Sequence, residues 1–223
     1  MPKDKRIVVD PERPLPPRLS KEWEETFAEL ILEAYFPETF FSLSADGECP
    51  DLRNELADLG VEVTNVENSK SRELDSLYTR RYSRGDNKQR EQAAKRIKEL
   101  GGKIKEFFLL LPVRDRSLAG IYQAVKEKTT KLNQNYKIFA KNFLFIFTTE
   151  HIEDEELPEM MREISDSASG NKKHFSGVIV RHLGERLYWF DLEGMGIKKA
   201  DVADNDMFKL STKARDMIDN KYR

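Results

Sequence analysis

The chain has one cysteine, Cys49, in 223 residues. That excludes an internal disulfide and a cysteine-based zinc centre. Its three histidines, His151, His174 and His182, show no ligand spacing. No apolar run approaches the ~20 residues needed to span a membrane, and Ile7-Val8-Val9 is too short for a signal-peptide core. The expected setting is therefore cytoplasmic, with no membrane partner. There is no Gly-rich phosphate loop; Gly194-Met195-Gly196 reads as a turn. No Ser/His/Asp nucleophile pattern emerges. Excess charge of one sign is also missing: the formal net charge is −2, which argues against non-specific coating of nucleic acid but leaves room for a local basic groove. With 39% hydrophobic and 35% charged residues, the chain is polar yet able to bury a core.

What is present is an ordered series of elements. Residues 1–19 hold five prolines and read as an extended arm. Ser20 can cap a first helix, in which Trp23, Phe27, Leu30, Ile31 and Ala34 follow helical spacing until Pro37. Residues 40–43 read as a first strand, 51–56 and 61–66 as a second and third. A charged helical stretch over 71–100 ends at Gly101-Gly102. Residues 105–111 and 142–147 are apolar enough for central strands, linked by a helix that starts near Ser117. That pattern predicts a parallel pair. An acidic segment, 150–163, leads to a hairpin of 175–180 and 187–191, and a last helix is expected over 211–220.

The segment PDLRNELADLGVEVT places Asp51 on one arm of a hairpin and Glu62 on the other. Two carboxylates brought together on neighbouring strands can hold a hard divalent cation. Such a cation polarises a phosphoryl oxygen and generates a hydroxide nucleophile. Glu62 lies between Val61 and Val63, so it points to the opposite face of the sheet from both.

Pro50-Asp51, a turn, then Glu62-Val63-Thr64 resembles the core motif of the PD-(D/E)XK nuclease superfamily, in which acid-x-Lys is usual; here Thr64 stands in the lysine position. The order of elements over residues 20–148 is similar to that family's core. The resemblance implies an α/β fold: a mixed central sheet flanked by helices, a restriction-endonuclease-like core (α-β-β-β-α-β-α-β), with a C-terminal β-hairpin and helical decoration over 149–223 on the same domain. It implies a small bacterial or phage-type protein hydrolysing phosphodiester bonds in DNA or RNA with Mg²⁺ or Mn²⁺. Asp51 and Glu62 would hold the metal, and Glu24 of the first helix would add a further acid. A lysine from elsewhere would replace the missing one. Lys128, with Lys131 one turn on, resembles the helix that supplies it in some members.

Between residues 80 and 105 basic side chains are dense, and Arg80, Arg81, Arg84 and Lys88, with Tyr82 to stack on bases, form the expected nucleic-acid surface. The rival expectations are an inactive nuclease-fold protein that binds nucleic acid and a protein-interaction module working through the acidic 150–163 segment. A homodimer is compatible with either.

Overall fold

Trp23, Phe27, Leu30 and Ile31 build one helical stripe, and helix α1 runs over Pro17–Tyr35. It starts three residues before Ser20, because proline is pre-set for a first helical turn and needs no amide partner there. It stops two residues before Pro37, which disfavours helix in the residue preceding it. The computed structural model describes residues 17–45, 49–66, 73–74, 77–78, 87–105, 108–110, 117–134, 137–182 and 186–222.

The expected strand over 40–43 is a single bridge, Ser44 to Arg53, instead. Phe40 N–H bonds back to Phe36 C=O at 2.9 Å, which turns the chain so that both rings reach Trp189, Phe36 at 5.2 Å and Phe40 at 5.5 Å between centroids. Strands β1 (Leu52–Asn54) and β2 (Leu59–Asn65) then form the expected hairpin, with Leu52 opposite Val61. Its turn is set by Asn54, whose Oδ1 accepts from Ala57 N–H at 3.0 Å, and by Asp58 at φ 48°, a left-handed conformation that aspartate tolerates.

The chain divides into two units, one of Met1–Leu15 and Glu67–Arg116, the other of Pro16–Val66 and Ser117–Arg223. In the first, helix α2 (Asn87–Glu99) is followed by β3 (Lys103–Lys105) and β4 (Phe108–Leu110). Ala93 and Ile97 of α2 pack with Leu74 and Leu77 in a small core. The 105–111 run is thus not a central strand parallel to 142–147. Of that run, Phe108–Leu110 pairs antiparallel with β3, Ile104 opposite Leu109, in a sheet of its own, while Lys105 belongs to β3. An antiparallel partner needs only a tight connection, whereas a parallel one needs a crossover. Of the expected extended arm of 1–19, residues 17–19 instead open α1, and residues 1–16 lie outside the described residues.

The second unit holds a mixed six-stranded sheet in the order β1-β2-β5-β6-β7-β8. Helix α3 (Ala119–Leu132) leads into β5 (Lys141–Thr148), which lies parallel to β2. Helix α4 (Leu157–Ala168) leads into β6 (Gly177–His182), parallel to β5. β7 (Arg186–Asp191) and β8 (Gly196–Asp201) complete an antiparallel meander before α5 (Asp204–Lys221). Residues 149–223 therefore supply three strands of this same sheet. β8 was hidden in the sequence because Lys198 and Lys199 make it a polar edge, a common protection of exposed strand edges.

Alternation along the strands sends Val61, Val63, Phe143, Phe145 and Phe147 to the face covered by α1 and α5. Leu144, Ile146, Val178 and Val180 go to the face covered by α3 and α4. The sheet is dry on both sides, as its apolar β5 requires. No described helix is long and apolar enough to cross a membrane.

One acid in the α1–α5 layer makes this packing sensitive to pH. Burial, then the charge of Glu33, pushes the Glu29 carboxyl up to about 7 from its ordinary 4.5, against a smaller pull from Lys213. A carboxyl raised in the folded state stabilises fully below its unfolded pKa and loses that contribution as pH rises through the folded one. Thermal unfolding followed from about pH 5 to about pH 8 should show a falling melting temperature. Glu29→Gln should flatten that slope.

Candidate active site

The Pro50 ring sits over Gly60 of β2, where an added Cβ would come within 2.7 Å of Pro50 Cγ and 2.8 Å of Phe139 Cδ2. Only glycine allows so close an approach, and it seats the next residue, Asp51, against β2. Asp51 is 5% exposed. Its Oδ2 accepts the Val63 amide at 2.8 Å, extending the hairpin by a side-chain bond, and its Oδ1 accepts from Lys21 Nζ at 3.0 Å.

Glu62 is 4% exposed. Its neighbours Val61 and Val63 pack toward α1, so its own side chain points to the α3 side, the face of its register partner Leu144. There Lys128 of α3 donates from Nζ to Glu62 Oε1 at 2.5 Å. Lys128 stands in the third turn of α3, the helix that leads into β5. Thr64 is half-buried two positions along β2.

Lys21 also meets Glu25 Oε1 at 3.1 Å, one helical turn away. Burial of the amine opposes its charge, but hydrogen bonding and attraction from Asp51 and Glu25 hold Lys21 well above the usual lysine range. Burial, then the Asp51 charge, pushes Glu25 up to about 7, with Lys21 working against both. Desolvation pushes the Cys49 thiol up, as do Glu62 and Asp51, while Lys21 and Lys128 pull it down.

The structure thus pairs Glu62 with Lys128 and Asp51 with Lys21, which also meets Glu25. Glu24 does not join Asp51. Its Oε1 accepts from Asn65 Nδ2 at 2.9 Å at the end of β2, and the first-helix acid beside Asp51 is its neighbour Glu25. Lys131 stays exposed in the last turn of α3. Lys88 is exposed on α2. Arg80, Arg81, Arg84 and Tyr82 lie outside the described residues. In the acidic 150–163 segment, Asp154 pairs with Arg186 at 3.0 Å and Lys199 at 3.0 Å, while Leu157, Met160 and Met161 are buried.

Lys21 and Glu25 carried a signal in the sequence: a Lys–Glu pair at i,i+4 on the flank of an apolar stripe. A solvated surface pair looks the same, and only the hairpin arriving at its side gives this one a site.

Among the described residues, no group of three or more His, Cys, Asp or Glu is placed to hold a metal ion. Two carboxylates, Asp51 and Glu62, are nevertheless a donor set that suits Mg²⁺, which commonly takes one or two carboxylates and completes its shell with water and substrate phosphates. Comparison of the chain with family models, with curated proteins and with solved structures finds no match in any of the three.

Proposed function

We propose that the protein is a metal-dependent nuclease with a restriction-endonuclease-like core, hydrolysing phosphodiester bonds in DNA or RNA. The observation that carries this reading is the 2.5 Å contact between Lys128 Nζ and Glu62 Oε1. The order of elements in the second unit supports it in part: α1 precedes the β1–β2 hairpin, and α3 leads into β5, which lies parallel to β2.

In this reading Asp51 and Glu62 would hold Mg²⁺ or Mn²⁺, which would supply an activated water and polarise the phosphoryl oxygen. Lys128 turns from Glu62 toward the charge that develops on the phosphate oxygens, the role expected of a pre-placed cation. Lys21 neutralises Asp51 and Glu25, so that two acids can share a small space. Asp51 is fixed by the Val63 amide and cannot swing away from β2.

A second reading is a nucleic-acid-binding protein of the same fold without catalysis. It is favoured by Lys21 and Lys128 themselves: each already neutralises an acid that a divalent cation would have to reclaim. Calorimetric titration with Mn²⁺ separates the two. The nuclease reading expects saturable binding that is lost in both Asp51→Asn and Glu62→Gln. Nucleic-acid affinity with no Mn²⁺ binding would select the second reading.

A further inference from the structure

Arg181 is the next-to-last residue of β6, and its register row runs Asn65–Phe147–Arg181 across β2, β5 and β6. These three strands are mutually parallel and end together at Asn65, Thr148 and His182. The Arg181 guanidinium lies 5.6 Å from the Phe27 ring centroid and 5.9 Å from that of Phe147. The two rings are themselves stacked at 5.8 Å and 16°, which gives the cation a rigid aromatic wall. Its Nε is buried with no hydrogen-bond partner. Burial alone works against its charge, with no neighbouring charge acting on it, and among the described residues no carboxylate pairs with it.

Arginine keeps its proton at any ordinary pH. Arg181 is half-buried, and cation–π contact offsets only part of the cost of desolvating the buried end of its guanidinium. A planar fork of donors, stacked on two rings and with no carboxylate partner among the described residues, is suited to an external oxyanion. Its place agrees, since open α/β sheets bind ligands beyond the carboxyl ends of their parallel strands.

We propose that Arg181 forms a binding site for a phosphate-class oxyanion, either free phosphate or a phosphate of a nucleotide chain. This site does not depend on the nuclease reading: Arg181 lies on the α1 face of the sheet, and Glu62 and Lys128 meet on the other.

The test uses the full chain in a metal chelator, which removes phosphate binding through a metal at Asp51 and Glu62. Inorganic phosphate and an unphosphorylated oligothymidylate are titrated into wild type, Arg181→Met and Arg181→Lys, with calorimetry and melting temperature as readouts. Phosphate should raise the melting temperature of wild type and leave Arg181→Met unmoved. Arg181→Met should bind phosphate about tenfold more weakly or worse, the effect of losing charged hydrogen bonds. In phosphate-free buffer it should melt no lower than wild type, since a methionine there leaves no buried charge. Arg181→Lys, which keeps the charge without the fork, should fall between the two and carries the comparison if the methionine variant does not fold. Oligothymidylate affinity that falls in parallel identifies the nucleotide backbone as the source, and affinity that is unchanged while phosphate binding is lost identifies free phosphate. A phosphate response that is absent in wild type, or equal in wild type and the variants, would overturn the proposal.

Discussion

Lys128→Ala is expected to lower metal-dependent phosphodiester cleavage by about 10²–10³-fold, the usual cost of losing one transition-state stabiliser. The expectation rests on geometry. Lys128 projects from α3, the helix that leads into β5, and its amine reaches the buried Glu62 at 2.5 Å. Thr64, in the usual lysine position, carries no charge, so the chain has no substitute on β2. Lys131 should not replace it, because it stays exposed at the end of α3, and Lys131→Ala should leave the rate near that of wild type. Single-turnover cleavage of labelled DNA and RNA by both variants, with folding checked by circular dichroism, measures the difference. Equal rates for Lys128→Ala and wild type would remove Lys128 from the chemistry.

Lys128→Met should also destabilise the fold. It leaves Glu62, 4% exposed, without its ammonium partner, and breaking such a buried pair costs about 3 kcal/mol or more. The lower end is expected because the Lys128 side chain keeps 18% exposure. Glu62→Gln in the same chain should recover most of that loss, since a neutral amide is far cheaper to bury than a charge. Urea unfolding of both singles and the double, with unchanged dependence on denaturant, gives the coupling directly. If the double variant is as unstable as the sum of the singles, the pair is not coupled and the 2.5 Å contact has no energetic weight.

The parts of this site that were legible in the sequence are those set by local chain geometry. Asp51 and Glu62 follow from a hairpin read off PDLRNELADLGVEVT, and the burial of Glu62 follows from valines on both sides. Lys128 follows in the sequence from a helix joining 105–111 to 142–147, a premise that fails, since β5 lies beside β2 and β4 beside β3; the lysine reaches Glu62 because α3 still packs on the sheet that holds β2 and β5. Glu25 was not chosen over Glu24, because the two differ by a 100° step around α1 and only the arrival of Asp51 distinguishes them. The 105–111 run shows another limit. Its composition suits a buried strand, but apolar content does not say which strand it pairs with. β3 is its close neighbour in the chain, and the pairing is local. Arg181 gave no signal at all, since an arginine in a strand looks like a solvated residue until Phe27 and Phe147 close around it.

The account stands most directly on cleavage by wild type and Asp51→Asn, in parallel, of labelled single- and double-stranded DNA and of RNA with Mg²⁺ or Mn²⁺. Asparagine keeps the size of Asp51 and an acceptor for the Val63 amide, yet removes the charge that would hold a cation. The predicted result is cleavage by wild type that stops with chelator and is absent in Asp51→Asn. Cleavage surviving in Asp51→Asn, or a folded wild type that cuts none of these substrates with either metal, would contradict it.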